Sequence, residues 1–191
     1  MTSSWRTLFS KTLIQDRWID VRADRCLTAS GVEISPYYVL TYPDWVHVVA
    51  LTPERRVVLV KQYRHAAAKT FLELPGGCVD ASDRDVEQAA RRELREETGY
   101  VSDHWIYAGA LFPNPAIQTN RVHTFVALDV AVAHAPRLDP GEDGMVSCSI
   151  PLDEVSEQAR GGAFGQALHV SSLFLAMSTL QQIEDAVSPS C

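Results

Sequence analysis

Three things are missing from this sequence, and each absence removes a class of function. Its four cysteines, Cys26, Cys78, Cys148 and Cys191, stand far apart with no paired spacing. Neither a disulfide framework nor a zinc site is expected, and a reducing compartment is favoured. There is no long run of Lys and Arg, and the formal net charge is −7. That argues against a polynucleotide partner, because phosphate backbones are held by clustered basic side chains. A small phosphorylated substrate stays open, since a divalent metal can supply positive charge locally. Finally, no apolar stretch is long enough to span a bilayer, His47 interrupting the run that ends at Leu51. The start, Met1-Thr-Ser-Ser-Trp-Arg, lacks the apolar core of a signal peptide. A soluble cytoplasmic protein without a membrane partner is the expectation.

What is present suits one globular domain with room for a sizeable core and an extra subdomain, in a chain of 191 residues. Leu8–Ile14, Trp18–Leu27, Ile34–Thr41, Trp45–Leu51 and Val57–Tyr63 read as strands separated by turn signals, in the manner of an antiparallel meander. Leu74-Pro75-Gly76-Gly77 breaks that pattern, and Asp85–Thr98 then reads as a helix. Asp83 or Asp85 can cap it, and Gly99 sits where a helix commonly ends. Trp105–Phe112, Val122–Val130 and Val146–Ile150 are further strands, with the polar segment Ala131–Gly144 looping out between the last two. Leu152–Arg160 and Val170–Ile183 read as helices. The fold class is α/β: a mixed sheet with helices packed on it.

The helix over 85–98 carries the chemistry. At about 100° per residue, Val86, Ala90 and Leu94 form one apolar stripe that can face the sheet. Glu93 and Glu97 fall within about 40° of one another, directly beside that stripe. Two carboxylates one turn apart repel unless something positive lies between them, and a divalent metal is the economical answer. Mg²⁺ favours hard oxygen ligands, commonly one or two carboxylates with phosphate oxygens and water. Bound there, it can neutralise a diphosphate, orient a water and lower that water's pKa. Arg92 and Glu96 share another face as an i, i+4 ion pair. Glu96 is therefore given a supporting role, with a further metal left open. The bland alternative, a solvated Glu- and Arg-rich face, weakens once the run is joined to Leu-Pro-Gly-Gly upstream and Gly99-Tyr100 downstream.

The stretch resembles the Nudix box, G-x5-E-x7-R-E-U-x-E-E-x-G-U with U apolar. Arg92, Glu93, Leu94, Glu96, Glu97 and Gly99 match its second half, with Tyr100 at the final bulky position. The first half departs from it. Gly77 is one residue too far from Arg92, and the expected Glu is replaced by Asp83 or Arg84, depending on where the insertion falls. Val60-Lys61-Gln62-Tyr63-Arg64-His65 followed by Glu73-Leu74-Pro75-Gly76-Gly77 is similar to the ADP-ribose pyrophosphatase branch.

This resemblance implies a Nudix α/β/α sandwich with a mixed sheet and an N-terminal antiparallel β extension. Residues 1–43 are assigned to that extension, which helps form a homodimer, residues 44–186 to the Nudix domain, and 187–191 to a tail. It implies Mg²⁺ or Mn²⁺ held by the Gly76 carbonyl, Glu93 and Glu97. Glu142, favoured over Asp143, is a further metal ligand or general base on a loop. Arg64 becomes a substrate contact, and Glu73 orients substrate or Arg64. The loop Phe112-Pro113-Asn114-Pro115-Ala116 stands where the branch carries a proline-containing signature but departs from its usual Ser-Pro-Gly type. Phe112 can stack on a base and Arg121 can reach a phosphate. His47, His104, His123 and His169 show no ligand spacing and read as core or surface, and Cys78 as a small loop residue. The implied reaction is diphosphate cleavage in a nucleotide-like substrate, best guess ADP-ribose or a related nucleotide sugar. The rival is a non-catalytic Nudix domain that binds a nucleotide and regulates a partner.

Overall fold

The computed structural model describes residues 4–187, so the expected tail lies outside the described residues except at its first position. The chain forms two compact units. One contains the described residues up to Pro43 together with Phe112–Arg121, the other Asp44–Leu111 and the described residues from Val122 onward.

The first unit is an antiparallel sheet of β1 (Arg6–Gln15), β2 (Asp20–Leu27) and β3 (Glu33–Thr41), in that order. Local polar chemistry sets its turns. The Asp16 carboxylate accepts from the N–H groups of Trp18 and Ile19 at 2.7 and 2.9 Å, an Asx turn that sends β1 into β2. Gly31, at φ 84°, supplies the left-handed residue between β2 and β3. The segment 112–121 joins this sheet at β3, where Leu40 N–H donates to the Ile117 carbonyl at 2.7 Å and Thr119 N–H to that of Leu40 at 3.2 Å. β1 is exposed along its whole length, Leu8, Phe9, Leu13 and Ile14 included.

The second unit contains β4 (Trp45–Leu51), β5 (Arg56–Arg64), β6 (Lys69–Glu73), β7 (Gly76–Cys78) and α1 (Val86–Thr98). There follow β8 (Tyr100–Val101), β9 (His104–Leu111), β10 (Val122–Leu128), β11 (Ala131–Val132) and β12 (Val146–Pro151). Helices α2 (Leu152–Arg160) and α3 (Ala167–Val187) close it. The main sheet runs β12-β5-β4-β10-β9, with β6 on β5 and β7 on β4. β4 and β10 pair in parallel and the other pairs are antiparallel, so the sheet is mixed as expected.

Alternation along the central strand builds two cores. Val46, Val48 and Ala50 pack with Ala89, Ala90 and Leu94 of α1, while Val49 and Leu51 pack with Val155 of α2 and Leu173 and Ala176 of α3. Helices therefore cover both faces of the sheet.

One departure from regularity positions everything that follows. β4 and β5 pair only at their hairpin end, at Ala50↔Val58 and Leu51↔Val57. Beyond that they diverge, and the segment from Leu74 to Cys78 fills the opening, with Val48 N–H donating to the Pro75 carbonyl at 2.9 Å and β7 laddered on Trp45–His47. The fit is tight: a Cβ on Gly76 would lie 2.0 Å from the Val46 carbonyl oxygen. Sequence reading treats this stretch as a break. The structure makes it a strand, because pairing supplied by β4 overrides the weak strand preference of two glycines. The short pair β8–β11 is likewise tertiary in origin and falls partly within the segment expected to loop out.

Leu94 is fully buried between α1 and the sheet. Leu94→Ala is expected to destabilise by about 2–5 kcal/mol, read from the urea midpoint; a midpoint unchanged from the parent would show that the helix does not depend on this contact.

Candidate functional site

Helix α1 delivers its acidic residues with both ends fixed. Asp85 caps the N-terminus by accepting from Gln88 N–H at 2.8 Å, and Gly99, at φ 76°, closes the other end with its N–H on the Arg95 carbonyl at 2.9 Å. Ala89, Ala90 and Leu94 face the sheet, which drags their neighbours Glu93 and Glu97 out of water, to 8% and 4% exposure. Glu142 comes from the 3-10 turn Pro140–Glu142, where Asp139 N–H donates to one of its carboxylate oxygens at 2.8 Å. Glu93, Glu97 and Glu142 each bring a carboxylate oxygen into a group whose members all lie within 4.8 Å of one another.

The glycines admit this cluster. Gly76 N–H donates to Glu97 at 2.9 Å, and a Cβ on Gly77 would sit 2.5 Å from a Glu93 oxygen. Burial pushes the Glu93 carboxyl up to about 7, against Arg92 and with Glu142 and Glu96 adding to the rise. Glu97 is raised well above the carboxylate range, again by burial first; the Gly76 N–H works against the shift, and Glu93 and Glu142 reinforce it. Without a cation the cluster retains protons, and a divalent ion would take their place. Three carboxylates are hard oxygen donors of the kind that suits Mg²⁺ or Mn²⁺.

Arg92 braces the cluster from outside. Its Nε and Nη2 grip the two Asp83 oxygens at 3.1 and 2.9 Å, Nη2 reaches the Cys78 carbonyl at 2.9 Å, and Nη1 meets Glu93 at 2.9 Å and Glu96 at 3.3 Å. The alternative left open by the sequence is settled here. Asp83 faces Arg92, whereas the Arg84 Nε and backbone N–H both donate to Gln88 at 2.9 Å. The extra residue is absorbed in the loop before α1, where Asp80 N–H donates to Asp83 at 2.9 Å and Ser82 N–H to Asp80 at 2.8 Å.

On the other side, Arg64 at the end of β5 makes a two-pronged ion pair with Glu73, Nε–Oε1 at 3.0 Å and Nη2–Oε2 at 2.5 Å. Arg64 is close enough to Glu97 for its charge to favour that carboxylate's ionised form. Burial would raise the Glu73 carboxyl, yet the nearby His169 ring and the Arg64 fork hold it at about 2.

Not every expected residue joins this group. Glu96 pairs with Arg92 and Arg95 and stands outside the three-carboxylate cluster. Asp143 is exposed, and Phe112 and Arg121 belong to the first unit, with the guanidinium 5.1 Å from the ring centroid. The Cys78 thiol is pushed up, by desolvation first and then by Glu93, which suits an unreactive residue, here at the end of β7 and not in the expected loop. His169, read as core or surface, is buried, and no spacing in the sequence could have signalled its partners Glu73 and Leu74, which lie far away in the chain.

With this geometry in place, comparison with known proteins gives a class. The NUDIX domain family matches residues 41–168, and the nucleoside diphosphate sugar hydrolase N-terminal domain family matches residues 5–40. The chain belongs to the Nudix family. Within it, the chain is similar to the ADP-ribose pyrophosphatase of Bacillus subtilis, 29% identical over 138 residues that cover 72% of this chain and 74% of that one. It is also similar to the ADP-ribose pyrophosphatase of Mycobacterium tuberculosis, 24% identical over 169 residues, 88% of this chain and 81% of that one. The fold matches a solved structure described as an ADP compounds hydrolase with a TM-score of 0.83 and 22% identity, over 95% of this chain and 97% of that one.

The Glu93 shift has a sign that can be tested. Its carboxyl titrates at about 7 in the folded protein, above the roughly 4.3 of a free glutamate. The folded state thus keeps a proton that the unfolded state has lost, and stability falls as pH rises between those values. Metal-free Tm is expected to drop between about pH 4.5 and pH 7, with a shallower drop in Glu93→Gln. Parallel pH profiles for parent and variant would refute the proton held at this site.

Proposed function

We propose that this Nudix pyrophosphohydrolase cleaves the diphosphate of a nucleoside diphosphate joined to a second moiety, ADP-ribose or a related nucleotide sugar foremost, in a reaction that needs Mg²⁺ or Mn²⁺. The observation that carries the reading is the convergence of the buried Glu93 and Glu97 with the half-buried Glu142 within 4.8 Å, beside Arg64. Such a cluster is costly for carboxylates alone and favourable with a divalent cation. Glu93, Glu97, Glu142 and the Gly76 carbonyl would hold the ion. Bound there, it would supply positive charge for the diphosphate and lower the pKa of the attacking water.

The chain's own residues do the rest. Arg64, held by Glu73, grips a phosphate oxygen with the part of its guanidinium that faces away from the pair. Glu142, on a loop, takes the proton of the attacking water. Glu96 keeps Arg92 in place. Water adds to one phosphorus as the bridging oxygen leaves with the other, so a dinucleotide-like substrate yields two phosphomonoesters.

Residues 1–43 are proposed as a dimerisation region of a homodimer. The exposed apolar side chains of β1, with Trp5 and Trp18, support that reading. Cys26, Cys78 and Cys148 are free thiols, which suits a cytoplasmic location, and among the described residues no helix is long and apolar enough to cross a membrane. The similarity to two ADP-ribose pyrophosphatases supports the choice of substrate.

The test is turnover of ADP-ribose, NADH, sugar nucleotides, diadenosine polyphosphates and nucleoside triphosphates, with and without Mg²⁺ or Mn²⁺. Metal-dependent release of phosphomonoester products from ADP-ribose above the others is expected. Glu97→Gln is expected to lower kcat by roughly 10²-fold or more, on the scale of losing a stabiliser of transition-state charge. Near-normal turnover by a folded Glu97→Gln protein sinks the assignment. Silence across the panel, with ligand-induced stabilisation retained, supports the nucleotide-binding regulatory domain instead.

A further inference from the structure

Under helix α3 lies a buried polar group that neither packing nor the carboxylate cluster accounts for. His169, 2% exposed, is on the first turn of α3 and stacks on His47 of β4 with ring centroids 4.2 Å apart and planes at 18°. The His47 ring is fixed in turn, its Nδ1 2.9 Å from the Ser172 hydroxyl. Leu74 N–H donates to His169 Nδ1 at 3.2 Å. An Nδ1 that accepts carries no proton, so the proton of the neutral ring belongs on Nε2. Nε2 lies 3.3 Å from Glu73 Oε2, poorly aligned for a hydrogen bond and within electrostatic reach. Glu73, 1% exposed, turns both oxygens to Arg64.

One imidazole therefore touches two parts of the site. Through Leu74 it fixes the backbone that leads to Gly76, whose N–H holds Glu97. Through Glu73 it fixes the carboxylate that aims Arg64. A carboxylate in this dry position has few ways to be held still, and a rotatable Glu73 would let the guanidinium swing. An apolar side chain would stack on His47 equally well. The choice of histidine is explained by its two opposed nitrogens, one accepting from the loop and the other facing Glu73.

We infer that His169 is a positioning residue of the substrate site, acting through Glu73 to hold Arg64 in its diphosphate-binding orientation. The inference rests on the reading of Arg64 as a diphosphate contact. It links α3 to substrate affinity, and it predicts an effect on binding in the ground state more than on the chemical step, because Arg64 touches the substrate throughout.

The experiment is steady-state kinetics with ADP-ribose and Mg²⁺ on the full chain, with Tm measured for every variant. His169→Asn keeps an oxygen near the Nδ1 position for Leu74 N–H and loses the reach to Glu73; His169→Gln extends an amide toward Glu73. His169→Asn is expected to raise KM about tenfold with kcat within about threefold, and His169→Gln to recover most of that loss. In an Arg64→Ala background His169→Asn is expected to add nothing further to KM, since the two residues act in one chain. A merely structural role would give effects that add.

Unchanged KM in folded His169→Asn, or full additivity with Arg64→Ala, overturns the inference. If His169→Asn does not fold, His169→Phe, which keeps the stack on His47 and loses both ring nitrogens, enters the same cycle with Arg64→Ala, with the same non-additivity expected. The parent is assayed first. Its failure to turn over ADP-ribose defeats the choice of ADP-ribose as substrate alone, and the cycle is then read on the calorimetric Kd for ADP-ribose, where the same tenfold loss is expected. Absence of both turnover and binding defeats both.

Discussion

The second unit is organised around an electrostatic constraint: two glutamates one turn apart on α1 are buried together where ionising either is costly. Packing of Ala89, Ala90 and Leu94 against the sheet forces Glu93 and Glu97 inward. The surroundings then go only part of the way toward compensating them. Arg92 satisfies one oxygen of Glu93, and Glu97 receives a single backbone N–H from Gly76. Glu142 adds a third negative group. A fold selected for stability alone would place neutral side chains here, because buried like charges oppose folding. The splayed β4–β5 hairpin, the inserted Leu74–Cys78 segment and the two glycines without Cβ atoms together leave room beside these carboxylates.

Glu73 and Glu97 show how position governs one residue type. Both are nearly inaccessible to water, at 1% and 4% exposure. Glu73 faces an arginine fork and an imidazole and is held at about 2, whereas Glu97 faces two other carboxylates and is raised well above the usual range. The first is an anchored anion that fixes a neighbour. The second is a carboxyl whose ionisation a divalent cation would favour. Glu73 begins the short strap that ends at Gly76, whose N–H meets Glu97 of α1, so a fixed charge and an exchangeable proton stand at its two ends.

Much of this was legible in the sequence, for identifiable reasons. The position of α1 and its Gly99 terminus follow from local rules and stand as read, and of the two candidate caps, Asp83 and Asp85, it is Asp85 that caps the helix. The pairing of Glu93 with Glu97 follows from helical periodicity, and the helix-covered mixed sheet from strand and helix patterns. Asp83 and Arg84 could not be told apart until the loop geometry showed which side chain turns back to Arg92. β6 and β7 were illegible because they are short, and in β7 glycine-rich, with their ladders supplied by β5 and β4. His169 was illegible for a different reason. Its meaning lies in contacts to Glu73, Leu74 and His47, and none of these shares a periodic element with it. Chemistry carried on one helix can be read in line; chemistry assembled across strands cannot.

The first unit draws on two stretches of chain, β1 to β3 and the segment 112–121 that returns to pair with Leu40. The two family descriptions meet between residues 40 and 41, which invites the view of an interchangeable N-terminal module. The hydrogen bonding of Leu40 and Thr119 contradicts that view. A graft of residues 1–43 alone would leave its third strand without the neighbour that arrives from between β9 and β10. In heredity the two stretches must therefore travel as a pair, and substitutions in β3 are answerable to a loop encoded some seventy residues downstream.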